Sequence, residues 1–299
     1  MALKVGGGSA AQRIASTQTA KETAKPKATA GGGSAQKAWA PSGAKKQQAT
    51  VGLKVTKGVI DEGVKTQDKF VLPKGYSAVP GSLKHSESMP LADGRTAKLD
   101  VDWATLSIKG PNGKSVELNP LADALKEQKE WFREEFKGAK KEDLEFVQPE
   151  WYAERSMSSV GGAGHMVSVY DAGSSYTGGA HPNHGGAVNT FDVRTGKKVM
   201  LDELVPKDQV DKLAVSIHAR LQTMKGPDEV DGVSFTGGGD VKSIRDTINE
   251  NFALVADKKG KLNIEISWES GIHALGPLSA HFTVPAPTDD AFKARIGAE

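Results

Sequence analysis

Apolar and polar residues alternate through "AKLDVDWATLSIK" (97–109), which predicts a strand with one side on a core; "GPNG" then predicts a turn into "KSVEL". Asn119-Pro120 opens a helix with Pro120 at its first position. Leu121, Leu125, Gln128, Phe132 and Phe136 share one side of it, Trp131 is adjacent, and Gly138 ends it. A second helix, about 207–224, buries Val210, Leu213, Ala214, Ile217, Leu221 and Met224 and stops at "KGP". A third, about 240–251, starts on Asp240 as N-cap and buries Val241, Ile244 and Ile248. "FALVAD" and "KLNIEISW" flank the hairpin turn "KKG", and "AHFTVP" supplies a last strand. "FDVRTGKKV" reads as a hairpin whose turn needs Gly196 at positive φ. These elements predict an α+β fold: a mostly antiparallel sheet with about three helices packed on it.

Toward the N-terminus the pattern thins. "VGLKVTKGVI" and "KFVLPKGYSAV" are short strand candidates broken by Gly and Pro, so residues 51–94 are expected to be a weakly structured lead-in and 95–299 the folded domain. Residues 1–50 repeat Gly, Ser, Ala, Thr, Gln and Lys, with "GGGSA" twice, and are expected to be a disordered tail for want of apolar surface. Of the chain's 39 basic and 37 acidic residues, eight and one fall in this tail, leaving 31 and 36 in the remainder. The tail is thus near +7 and the rest near −5, which points to separate roles. Solubility and tethering account for the basic tail, and no nucleic-acid partner is expected.

With no cysteine, disulfides, thiolate zinc sites and cysteine nucleophiles are excluded. No apolar run approaches the roughly 18 residues of a membrane span, and "MALKVGGGSAAQRIASTQTAKETAKPK" lacks the apolar core of a Sec signal. Residence in the cytoplasm or export by a signal-independent route is the expectation. "GPNGKS" imitates the end of a phosphate-binding loop but has Ile108 where the leading glycine belongs, and it lies between two strands. "NTFDV" imitates the first motif of polysaccharide deacetylases, yet Val193 stands where the metal-binding second aspartate would be. No G-x-S-x-G elbow occurs. "FTGGGD" before the third helix reads as a loop.

"GGAHPNHGG" holds two histidines, His181 and His184, around a proline. A turn there could join them on one ion with His165, Asp171 or Asp192, but two imidazoles alone hold zinc poorly. The reading favoured is a glycine-enabled turn, with no metal, no cofactor and no catalytic residue assigned.

The stretch "MSSVGGAGHMVSVYDAGSSYTGGAHPNHGGAVNTFDVRTGKKVMLDELV" resembles the core of a bacterial domain found in RsiV-like lysozyme-sensing anti-sigma factors and beside the catalytic domain of PdaC-like peptidoglycan deacetylases. The matching features are Tyr176, Gly178 to His181, Phe191-Asp192, Thr195 to Lys197 and Leu201 to Leu204. "FALVADKKGKLNIEISWESGIHALGPLSAHFTVP" is similar to the family's closing hairpin, loop and final strand, with Trp268 where a tyrosine is usual. The resemblance is good over 155–286 and weaker over 95–155. Departures are the absence of a transmembrane helix, a sigma-binding segment and a deacetylase domain; His184 and the glycines after it are not part of the family motif. The resemblance implies a setting at the bacterial envelope and a lysozyme-like hydrolase or peptidoglycan glycan as partner. It places binding on the loops 177–187 and 268–280, with Tyr176, Gly178, Gly179, His181, His184, Trp268 and His273 as candidate residues. A cell-wall enzyme or delivered effector using the His181/His184 loop, and a structural scaffold, are the alternatives. Oligomeric state is left open.

Overall fold

The computed structural model describes residues 52–145, 147–178, 182–227, 230, 232, 239–269 and 278–298, with the side chains of Glu62, Asp143, Trp268 and Glu269 excepted. The tail expected over 1–50 lies outside the described residues. Ten strands form a single sheet: β1 (Lys57–Glu62), β2 (Ser77–Pro90), β3 (Thr96–Lys109), β4 (Ser115–Leu118), β5 (Glu150–Ala163), β6 (Met166–Tyr176), β7 (Asn183–Asp192), β8 (Phe252–Ala256), β9 (Leu262–Glu269) and β10 (Leu278–Pro285). Their order is β1-β10-β9-β7-β6-β5-β3-β2, with β4 on β3 and β8 on β9. Only the β3–β5 pair is parallel among these strands. The helices are α1 (Ala122–Phe136), α2 (Leu201–Leu204), α3 (Lys207–Leu221), α4 (Val241–Glu250) and α5 (Asp290–Ile296).

The α+β class and the antiparallel sheet agree with the sequence pattern, but three expectations change. Five helices are described instead of about three. The added α5 carries a signal that the pattern reading passed over: Asp289 accepts from Phe292 N as N-cap, and Gly297 closes the helix at φ 69°. The lead-in is not weakly structured, since it contributes edge strand β1 and the 14-residue β2, paired along its whole length with β3. Short runs broken by Pro and Gly hid these strands, because edge positions tolerate both residues. Finally, α1 starts at Ala122, two residues past Pro120, because Asn119 turns left-handed at φ 51° first. Asp240 does cap α4, accepting from Ser243 N at 2.8 Å, and Gly196 does adopt a positive φ of 71°.

Register fixes which residues share a side. Paired positions Met157–Asp171–Ala187–Trp268–Ala280–Ile60 run across the sheet, so one side is continuous from β5 to β1. All the large helices pack on that side. At one end Trp103, Trp151 and Ala153 meet Phe132 and Phe136 of α1, the Trp151 ring lying 5.6 and 5.4 Å from the two phenylalanines. At the other, Ile264, Ile266, Phe282 and Val284 meet Leu213 and Ile217 of α3, Ile244 and Ile248 of α4, and Phe292 and Ile296 of α5. Each such buried side chain contributes about 1.5–3 kcal/mol.

The opposite side divides in two. Over β5, β7 and β8 the chain folds back across it after β1. Val64 packs against Val160, Val188 and Ala253, Gln67 N donates to Ser159 O (2.7 Å), and Gln67 Nε2 donates to Val160 O (2.9 Å). Beyond that cover, Lys84, Ser86, Asp100, Asp102, Tyr152, Glu154, Ser174, Tyr176 and His184 on this side are exposed or half-exposed.

Candidate functional site

β6 ends at Tyr176, and β7 returns beside it with Ser175 opposite Asn183 and Ser174 opposite His184. Tyr176 lies opposite Tyr152 of β5, and the two rings stack with centroids 6.1 Å apart and planes at 26°. Because cross-strand partners and alternate residues point the same way, Tyr152, Tyr176 and His184 share the open side of the sheet. His184 is exposed there.

Gly178 follows at φ 84°, a left-handed conformation that favours glycine. A methyl group on it would press to 2.8 Å from Gln148 O and 3.4 Å from Trp151 Nε1, so the turn begins tight against the aromatic cluster under α1. Gly186 has a similar structural reason, since a methyl group there would enter the Tyr170 ring. Two of the glycines around the histidine motif are therefore demanded by packing.

Gly179, His181 and His273 lie outside the described residues. The Trp268 backbone is described: it pairs with Ala280 of β10 and with Ala187 of β7. Since β7 and β9 run antiparallel, the start of β7 and the end of β9 lie toward the same end of the sheet.

The further ligands considered for a metal are dispersed. His165 precedes β6 and His184 faces its far end, roughly 30 Å apart at about 3.3 Å per residue. Asp171 is bound by Arg155, and Asp192 by Arg194 through Nε (3.0 Å) and Nη2 (2.7 Å). Burial pushes the Asp192 carboxyl up, but the Arg194 hydrogen bonds outweigh it and leave its pKa lowered. Among the described residues no group of three or more His, Asp or Glu side chains is gathered as a metal would require.

Two polar groupings have no local signal in the sequence. On the open side, Lys84 Nζ contacts Asp102 (2.8 Å), Lys98 Nζ contacts Asp100 (2.6 Å) and Ser86 Oγ donates to Asp100 (2.8 Å). Lys84, Ser86, Asp100 and Asp102 line a groove of about 390 Å³ with Tyr152 and Glu154. The hydrogen bond from Lys98, then that from Ser86, lowers the Asp100 pKa. On the covered end, Ser267 Oγ lies 2.8 Å from His281 Nδ1, and Asp61 Oδ1 lies 2.9 Å from Nε2. This has the residue types of a nucleophilic triad, but Ser267 is 5% exposed and in mid-strand. The Asp61 contact also lacks hydrogen-bond alignment. Nearby, Glu265 accepts from Thr283 Oγ1 (2.8 Å).

No family profile matches this chain, and no curated protein matches it. Among solved structures it is similar to a DUF3298-family protein of Bacteroides fragilis, at 14% identity and TM-score 0.45, over 75% of this chain and 99% of the other. It is also similar to a DUF3298 family protein of Pseudomonas aeruginosa PAO1, at 14% identity and TM-score 0.33, over 70% and 91% of the two chains. Likeness at this level transfers no function to the chain.

Proposed function

We propose that this chain is a non-enzymatic binding protein of the bacterial envelope or of the exported fraction, whose partner is a lysozyme-like hydrolase or peptidoglycan. The observation that carries the reading is the Ala187–Trp268 pairing, which sets the end of β9 toward the same end of the sheet as the start of β7, beside Tyr176 at the end of β6. The sequence resemblance to RsiV-like and PdaC-like domains supports the partner class. The charge of residues 51–299, near −5, favours encounter with a basic hydrolase, while specificity would rest with the paired loops and their aromatic anchors. Tyr176 and Trp268 suit that role because large rings cover area with few rotors. Calorimetry with a panel of lysozymes, and co-sedimentation with peptidoglycan sacculi, tests the proposal. Binding to one of them should weaken at least ten-fold in Trp268→Ala or Tyr176→Ala. No heat, no sedimentation and unimpaired lysozyme activity would reject it.

A further inference from the structure

The open side of the sheet carries two cross-strand rows. One runs Ser86–Asp100–Tyr152–Tyr176, and the other Lys84–Asp102–Glu154–Ser174–His184. The second row crosses five strands, about 19 Å at the usual strand spacing. Within it Asp102 and Glu154 are direct neighbours, and like charges placed opposite each other disfavour the sheet. Asp102 is relieved by Lys84, and Asp100 beside it by Lys98. Glu154 is exposed and has no ion pair among the described residues. Its carboxylate sits two residues from Tyr152, at the edge of the stacked tyrosine pair and the groove. Counting Glu150 opposite Lys98, the face holds four carboxylates against two lysines. Folding alone has no use for the Asp102–Glu154 juxtaposition, since a neutral residue at either position would serve the strand better.

We propose that this face, across β2, β3, β5, β6 and β7, docks an arginine- or lysine-bearing segment of a basic protein. A guanidinium lying over the tyrosines would meet the ring faces by cation–π attraction and could pair in bidentate fashion with Glu154. It would also remove the repulsion between Glu154 and Asp102. The excess of carboxylate selects a cation over a neutral sugar, although the tyrosines by themselves would accept either. The inference rests on reading the chain as a binding protein, and adds a second contact area to the paired loops.

The test uses the full chain with two probes, an octa-arginine peptide and chitotetraose, in calorimetry at low salt. The peptide should bind, weaken as salt rises, and weaken at least ten-fold in Glu154→Lys and several-fold in Tyr152→Leu. The charge-matched control Glu127→Lys, on the exposed side of α1, should change binding less than two-fold. Equal losses in Glu127→Lys and Glu154→Lys, or binding of chitotetraose without the peptide, would overturn the assignment. A lysozyme indifferent to Glu154→Lys and Tyr152→Leu but lost with Trp268→Ala would reject the face and keep the proposed function. Peptide binding that depends on Glu154, with no lysozyme or sacculus bound, would do the reverse.

Discussion

The same side of one sheet carries two polar regions, and they differ in cover, not in residue type. At the β1–β10–β9 end, Ser267 is buried and Asp61, His281, Glu265 and Thr283 are half-buried. At the β3–β5–β6–β7 end, Asp102, Glu154 and His184 are exposed and Asp100 and Ser174 half-exposed. Burial penalises charge, so at the covered end it lowers the His281 pKa and raises that of Glu265, moving both toward their neutral forms. At the open end ion pairing dominates and moves Lys98 and Asp100 toward their charged forms. The first region is largely withdrawn from water, with Asp61 at its margin, and the second faces it.

The largest test of this contrast lies on the helix-covered side beneath it. Phe282 is fully buried against α3–α5, so Phe282→Ala should cost about 3–5 kcal/mol, whereas Tyr152→Ala on the open face should cost about 1 kcal/mol, the worth of an aromatic pair. Urea denaturation of both variants measures the difference, and equal losses would show that the open face is in fact core. A smaller effect belongs at the boundary. Gly186→Ala should destabilise by about 1–3 kcal/mol through overpacking on Tyr170, and Tyr170→Leu in the same chain should recover part of it. Additive losses would mean that the glycine is needed for some other reason.

The finest effect is the pH response of the covered end. Burial lowers the His281 pKa from its ordinary 6.5; attraction to Asp61 opposes this, while Lys65 and Lys57 reinforce it. A histidine harder to protonate in the folded state contributes stability above about pH 6.5, and that contribution is lost as pH falls toward the folded-state value. Glu265, raised by burial against the hydrogen bond from Thr283, acts oppositely: its contribution is present below its ordinary 4.5 and is lost as pH rises through the folded-state value. Stability of the native chain relative to His281→Gln should therefore fall between pH 7.5 and 5.5. Parallel curves for the two proteins would mean that His281 is not buried as described.

Much of the framework was legible along the chain because it rests on local repetition. Alternation marked β3 and β9, the apolar stripes marked α1, α3 and α4, and Asp240 announced the start of α4 through a bond only three residues long. The candidate loops were legible only as glycine-rich motifs, and His181 and His273 stay where the sequence left them, outside the described residues. The edge strands β1 and β2 were obscured because an edge residue answers to one neighbour instead of two, which leaves room for Pro80, Gly81 and Pro90. No local pattern could say which side of the sheet is covered. Tyr152, Glu154 and Asp102 alternate outward just as Ser267 and His281 do, and the difference depends on the chain after β1, whose Gly63 reaches His281 across the fold. The sequence by itself determined which residues share a strand side or a helix stripe, because those periodicities are geometric and local. Only the tertiary structure decided which polar side became interior and which stayed surface, because burial depends on contacts between residues far apart in the chain.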